Sequence, residues 1–219
     1  NAAGLQGDLE TMIHEAGHAF HSLYCGHLEL IDERGYPIEF AEVASMSMEL
    51  LTQPGWDMFY PGGEADRARR AHLEGVVFLL PWIATIDSFQ HWAYANPGHS
   101  RQERSEAWLS IRDRFGSDMD WGGLSSFMEI SWQQQGHLYG APLYYIEYGI
   151  AQLGALQLWQ THRRDSQEAL DDYAEAMTLG NTRSLPDLFS AAGLNLGFDV
   201  NHVGSLIGEL NEALSGIDG

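Results

Sequence analysis

A chain of 219 residues that is 44% hydrophobic, with seven Trp, nine Tyr and nine Phe, carries enough apolar side chain to bury a core and is not a disordered segment. Its formal charge is −20, from 31 acids against 11 bases, and every base is arginine. Such a surface repels polyanions, which excludes nucleic acid and anionic membranes as partners.

The lysine-free acid excess reads either as adaptation to high salt or as the mark of a GC-rich genome. A lone cysteine, Cys25, excludes an internal disulfide and suits a reducing, cytoplasmic compartment. No N-terminal apolar stretch resembles a signal peptide, and no run reads as long enough to span a bilayer.

In chain order, the first element is a helix expected over residues 8–25, with Asp8 as its N-cap. Leu9, Met12, Ile13, Ala16, Phe20 and Leu23 recur at helical spacing and are expected to form its apolar, core-facing side. Within it lies His14-Glu15-Ala16-Gly17-His18, an HExxH motif. Residues four apart share a helix face, so the imidazoles of His14 and His18 can bind one metal ion, with Glu15 placed to act on water beside it. Gly17 costs about 1 kcal/mol against alanine inside a helix, which predicts close approach by another element or a ligand there.

Gly35 and Pro37 mark turns before a second helix over residues 39–51, stopped by Gln53-Pro54-Gly55. Any strand would lie between Leu28 and Phe40. Residues 64–94 read as a long helical stretch with a kink, or two abutting helices, at Pro81. Ser100 and Glu103 form a capping box for a helix to about Phe115. Gly122-Gly123 precedes a helix through Trp132, residues 135–142 read as a glycine-bearing loop, and a helix follows over 143–162. Asp165, Ser184 and Asp199 open the last helices. No repeat or linker is visible, so one all-α domain over 1–219 is expected.

A zinc site of this kind needs three protein ligands and one open position. A third histidine later on the same helix is not available at position 24, which is Tyr24. His21 cannot converge with His14 and His18 on one ion from a straight helix, and is expected to support the site or pack. The remaining candidates are Glu39, Glu42 and Glu49. Glu42 stands among Phe40, Ala41, Val43 and Ala44, where an acid is more readily turned inward to a partner than solvated. Glu49, two turns on, can stand behind a ligand on the same face. Cys25 is expected as a small buried side chain and His91 as a packed one. No ligand spacing marks His27, His72, His99, His162 or His202.

His14-Glu15-Ala16-Gly17-His18-Ala19-Phe20-His21 followed by Phe40-Ala41-Glu42-Val43-Ala44-Ser45 resembles the M3 family of zinc oligopeptidases, which includes thimet oligopeptidase and oligoendopeptidase F. The run from His137 through Tyr139-Gly140-Ala141-Pro142 to Tyr144-Tyr145-Ile146-Glu147-Tyr148 resembles the family's substrate-side His/Tyr segment. Leu80-Pro81-Trp82 through Asn96-Pro97 is similar to the oligoendopeptidase F branch. The resemblance implies one Zn2+ per chain on His14, His18 and Glu42, with Glu15 as general base. It implies that His137 with one or two of Tyr144, Tyr145 and Tyr148 contacts short peptide substrates and stabilises the oxyanion. At least one of the three tyrosines is expected to be a core aromatic on a buried helix. Family members are longer, so the chain is expected to be the C-terminal catalytic part of such an enzyme, with the N-terminal part as a possible partner.

Overall fold

The structure is a computed structural model, and it describes residues 2–116 and 119–217. Among the described residues every regular element is helical and none is a strand, so the all-α expectation holds. The segment where a strand had room, before the second helix, instead forms 3₁₀ turns at Cys25–His27 and Ile31–Arg34. By its internal contacts the chain divides into two compact units, Asn1–Val76 with Ile150–Gly219, and Val77–Gly149.

The first unit is organised by helices α1 (Gln6–Tyr24) and α2 (Ile38–Leu51). Asp8 does not cap α1 with its own backbone. It sits in the first turn and accepts the backbone N–H groups of Ala3 and Leu5 at 2.7 and 2.9 Å. The side of α1 that turns inward is also not the expected one. Ile13, Gly17 and His21 are buried, whereas Met12, Phe20 and Leu23 are 55%, 47% and 73% exposed. The expected apolar face is therefore corrected: of its residues Ile13 is buried, and the helix packs through Ile13, Gly17 and His21.

Gly17 makes this packing possible. A Cβ there would lie 2.6 Å from Ser45 Cα and 2.9 Å from the carbonyl oxygen of Ala44. The close approach predicted at Gly17 is an element, α2. Behind α2 stand helices α8 (Ser166–Thr178) and α9 (Leu185–Ala191), capped by Asp165 and Ser184 as expected. The Tyr173 hydroxyl donates to Ala44 O at 2.6 Å, and Phe40 meets Phe189 edge-on. Cys25 is buried and its thiol faces Met177 O at 3.2 Å, so it packs as expected. The last helix, α10 (Val200–Ser215), is capped by Asp199.

Helix α3 (Glu64–Ala95) runs as one helix through Pro81, not as two abutting ones. A proline removes a single N–H from the ladder, so the helix loses one bond, to the carbonyl four residues earlier, and continues. By length and composition α3 is long and apolar enough to cross a membrane, which corrects the expectation that no run reaches that length. The core helix of a globular unit passes the same test.

In the second unit, Ser100 and Glu103 form the expected capping box of α4 (Arg101–Phe115). Trp108 on α4 is fully buried, and its indole N–H donates to Met128 O and Ser131 Oγ. Helix α5 (Ser125–Ile130) ends earlier than expected and continues as a 3₁₀ turn over Ser131–Gln134. Ile83, Ile86, Phe89, Trp108 and Tyr145 form the core of this unit. His91, expected to be packed, is 68% exposed and lies 3.6 Å from Asp87.

Alanine at position 17 would gain about 1 kcal/mol of helix propensity. It would also force two backbones apart, and overpacking of this kind costs about 1–3 kcal/mol or more. Gly17→Ala is therefore expected to lower the urea midpoint of unfolding, and an unchanged or raised midpoint would contradict the tight α1–α2 contact.

Candidate metal centre

The inward stripe of α1 brings His14 and His18 to α2. Their rings meet edge-on with centroids 4.9 Å apart, as the four-residue spacing requires. Glu42 Oε2 lies 3.4 Å from His14 Nε2 and 3.9 Å from His18 Nε2. One donor atom from each of the three falls within 4.8 Å of the others. The hydroxyl of Ser45 donates to the same Glu42 oxygen at 3.1 Å. Glu15 is exposed, next to His14 on α1.

Two imidazole nitrogens and one carboxylate oxygen fit a zinc ion with an open coordination position. The electrostatics agree. The Glu42 and Glu49 carboxylates beside His14 push its imidazole up to about 10, so the spot holds a positive charge strongly. Burial pushes the Glu42 carboxyl up, but His14, His18 and Ser45 outweigh it and hold it below its usual range. A cation at this point would take the place of the His14 proton, since a metal ligand must be deprotonated.

Glu49 stands where the sequence put it. Its Oε1 contacts His14 Nδ1 at 2.6 Å, which leaves Nε2 facing Glu42. Its Oε2 accepts from His72 Nε2 at 2.8 Å, and Gln53 Nε2 donates to His72 Nδ1 at 2.7 Å. Sequence reasoning missed His72 and Gln53. Nothing local marks His72, and Gln53 reads only as the start of a helix stop. His21 is fully buried, with neither ring nitrogen hydrogen-bonded among the described residues. It stacks on Tyr36 at 3.6 Å, and burial pushes its imidazole down to about 4. It packs, as one of its two expected roles required.

The His/Tyr segment lies in the second unit. It begins as a short helical turn, α6 (His137–Gly140), inside the expected loop. Helix α7 (Ile146–Arg164) starts three residues later than expected because Leu143 adopts φ +61. A non-glycine residue there costs about 1–3 kcal/mol. The backbone N–H of Leu143 is held by Gln90 Oε1 at 2.9 Å. The structure does bring His137 and the three tyrosines together. The His137 ring lies 5.8 Å from Tyr144, 5.1 Å from Tyr145 and 5.6 Å from Tyr148. Gln135 Nε2 donates to His137 Nδ1 at 2.6 Å, and Nε2 of His137 lies 3.3 Å from the Tyr148 hydroxyl. Tyr145 is the buried core aromatic of the three, and burial pushes its hydroxyl up.

An HExxH pair and a carboxylate from the next helix have the donor pattern of the mononuclear zinc hydrolases, here in a chain whose described regular elements are all helical. The chain belongs to peptidase family M3, whose model matches residues 5–199. Among solved structures it is similar to PZ peptidase A in complex with an inhibitor, at 32% identity and a TM-score of 0.92. It is similar to a protein described as oligoendopeptidase F, at 34% and 0.87. A further oligoendopeptidase F, from Bacillus anthracis strain Ames, gives 32% and 0.80. These alignments cover 100%, 100% and 97% of this chain, but the chain spans only 39%, 39% and 35% of those proteins. No curated protein matches the chain.

Changing a residue behind a metal ligand costs about 10- to 100-fold in affinity, so losing a ligand should cost more. Glu42→Ala is expected to weaken zinc binding by more than about 100-fold on that basis, read by competition with a chelator. Zinc binding at full strength in this variant would remove Glu42 from the centre.

Proposed function

We propose that this chain is the catalytic portion of a zinc-dependent endopeptidase that hydrolyses short peptides. The observation that carries the reading is the convergence of His14, His18 and Glu42 within 4.8 Å, in a chain of family M3. These three residues would hold the ion. Bound there, zinc supplies Lewis-acid polarisation and makes water a better nucleophile near neutral pH.

The protein's own groups do the rest. Glu15, exposed beside His14, takes a proton from the attacking water and delivers it to the leaving amine. Glu49 holds the His14 ring through Nδ1, which keeps Nε2 for the ion. His137 and Tyr148 are the donors for the oxyanion, and the Nδ1 bond from Gln135 supports this by leaving the ring proton on His137 Nε2, beside the Tyr148 hydroxyl. Tyr144 contacts substrate beside them, stacked on His137.

A second reading is favoured by the share of the neighbours that the chain covers, 39% in two of them. In it these residues bind zinc but turn over peptide only with the remainder of a longer enzyme. A fluorogenic short peptide assayed with this chain alone, together with zinc analysis, separates the two. One zinc with chelator-sensitive cleavage supports the first, and one zinc without cleavage supports the second.

General-base catalysis contributes about 10²- to 10⁴-fold, so Glu15→Gln is expected to keep its zinc and lose turnover by that factor. Tyr148→Phe is expected to lower kcat about 10²-fold with zinc content unchanged, the size of a lost oxyanion donor. Wild-type turnover in either variant would withdraw the role given to that residue.

A further inference from the structure

We propose that His72, held by Gln53, is a positioning residue for the metal centre: it occupies one oxygen of Glu49 and thereby fixes the other against His14. The inference rests on the reading of His14 as a metal ligand and adds to it the part of the chain that aims the ligand.

A carboxylate has two oxygens and a free torsion, so a single bond to His14 would leave Glu49 able to swing. Here both oxygens are taken, Oε1 by His14 at 2.6 Å and Oε2 by His72 at 2.8 Å. The three residues come from α1, α2 and α3, so the Glu49 carboxylate is pinned from two neighbouring helices at once. With His72 in place, turning the Glu49 carboxylate breaks two hydrogen bonds instead of one.

The partner of His72 decides which ring nitrogen faces Glu49 as a donor. An amide N–H of Gln53 donates to Nδ1 at 2.7 Å, so Nδ1 is the acceptor and the ring proton sits on Nε2, toward Glu49. Both nitrogens of His72 and both oxygens of Glu49 are then engaged, each in one role. A glutamate at position 53 has no N–H to offer Nδ1 and breaks this pattern.

The pieces that hold this arrangement are themselves fixed. His72 and Gln53 are 8% and 6% exposed, and the His72 ring abuts fully buried Trp56, edge-on at 5.5 Å. Arg69 Nε donates to the backbone carbonyl of Gln53 at 2.9 Å while its guanidinium pairs with Asp57 and Asp66. The turn Gln53-Pro54-Gly55-Trp56 therefore does more than end α2. Its first and last residues grip both sides of His72.

The experiment uses the 219-residue chain and zinc alone as the probe, with affinity read by chelator competition and folding of the metal-free protein by circular dichroism. His72→Phe fills the space without a donor and is expected to weaken zinc about 10- to 100-fold, as for residues behind a ligand. His72→Gln, whose amide can donate to Glu49, is expected to regain most of that loss. Gln53→Glu is expected to weaken zinc with the fold intact, and it carries the test if His72→Phe does not fold. In 15N spectra of the wild-type chain the His14 Nδ1 is expected to be protonated, and in His72→Phe its signal is expected to broaden or shift. Wild-type zinc affinity in both His72→Phe and Gln53→Glu would overturn the proposal. So would equal losses in His72→Phe and His72→Gln, which would mark the position as packing only. A wild-type chain that binds no zinc would instead fail the underlying reading of His14, His18 and Glu42, and the proposal with it.

Discussion

The contact between α1 and α2 at Gly17 is the constraint on which the cluster of His14, His18 and Glu42 depends. Glycine lets the backbone of α1 approach Ser45 and Ala44 more closely than any side chain would allow. His14 and His18 flank that point, so the closeness of the helices is what brings their Nε2 atoms to 3.4 and 3.9 Å from Glu42. Helices packed through side chains keep their axes about 8–10 Å apart. Widening this crossing by even one methyl group would carry the imidazoles away from the carboxylate. The other side of α2 is held as tightly. Tyr173 bonds the carbonyl of Ala44, and Gly154 admits Val43 and Phe189 close to its backbone. With both sides fixed, α2 has little room to back away from α1.

A helix buried from Phe40 through Ser47 is a costly place for a carboxylate. Glu42 is tolerated because His14, His18 and Ser45 surround it, and Glu49 because His14 and His72 do. The balance is not neutral. Two acids face His14, and the excess negative charge holds its imidazole in the charged form. The centre is thus a place where a positive charge replaces solvation that the acids lost on burial. On the proposed reading a divalent cation would meet that demand better than a proton, because it would draw on all three donors at once. Removing one acid leaves the remaining groups short of a partner, which is why partners of buried charges are coupled.

What was legible in the sequence was the chemistry decided within a few residues. The HExxH pair shares a face by spacing alone. Ser100 with Glu103, Asp165, Ser184 and Asp199 mark their helix starts because an N-cap is a local hydrogen bond. Glu42 was legible because its neighbours are small and apolar. The inward side of α1 was not. A hydrophobic stripe predicts the buried face only when burial is driven by apolar area, and here His14 and His18 turn to Glu42 on α2. Met12, Phe20 and Leu23 are left outside as a result. His72 was invisible because its partner Glu49 is distant in the chain, and His91 was misplaced because aromatic neighbours do not fix which way a helical residue points. Leu143 could not be foreseen either, since nothing in leucine suggests a left-handed backbone.

Histidines at both clusters are set by the same device. Gln53 donates to Nδ1 of His72 and Gln135 donates to Nδ1 of His137, at 2.7 and 2.6 Å. Each bond sends the ring proton to Nε2, toward Glu49 in one case and Tyr148 in the other. Carboxylates are the more familiar orienters of histidine, and this chain has 31 acids to choose from. An amide differs in one respect: it donates an N–H, where a carboxylate can only accept. It leaves Nδ1 as the acceptor and Nε2 as the nitrogen that carries the proton, whereas a carboxylate in the same place would require the proton on Nδ1.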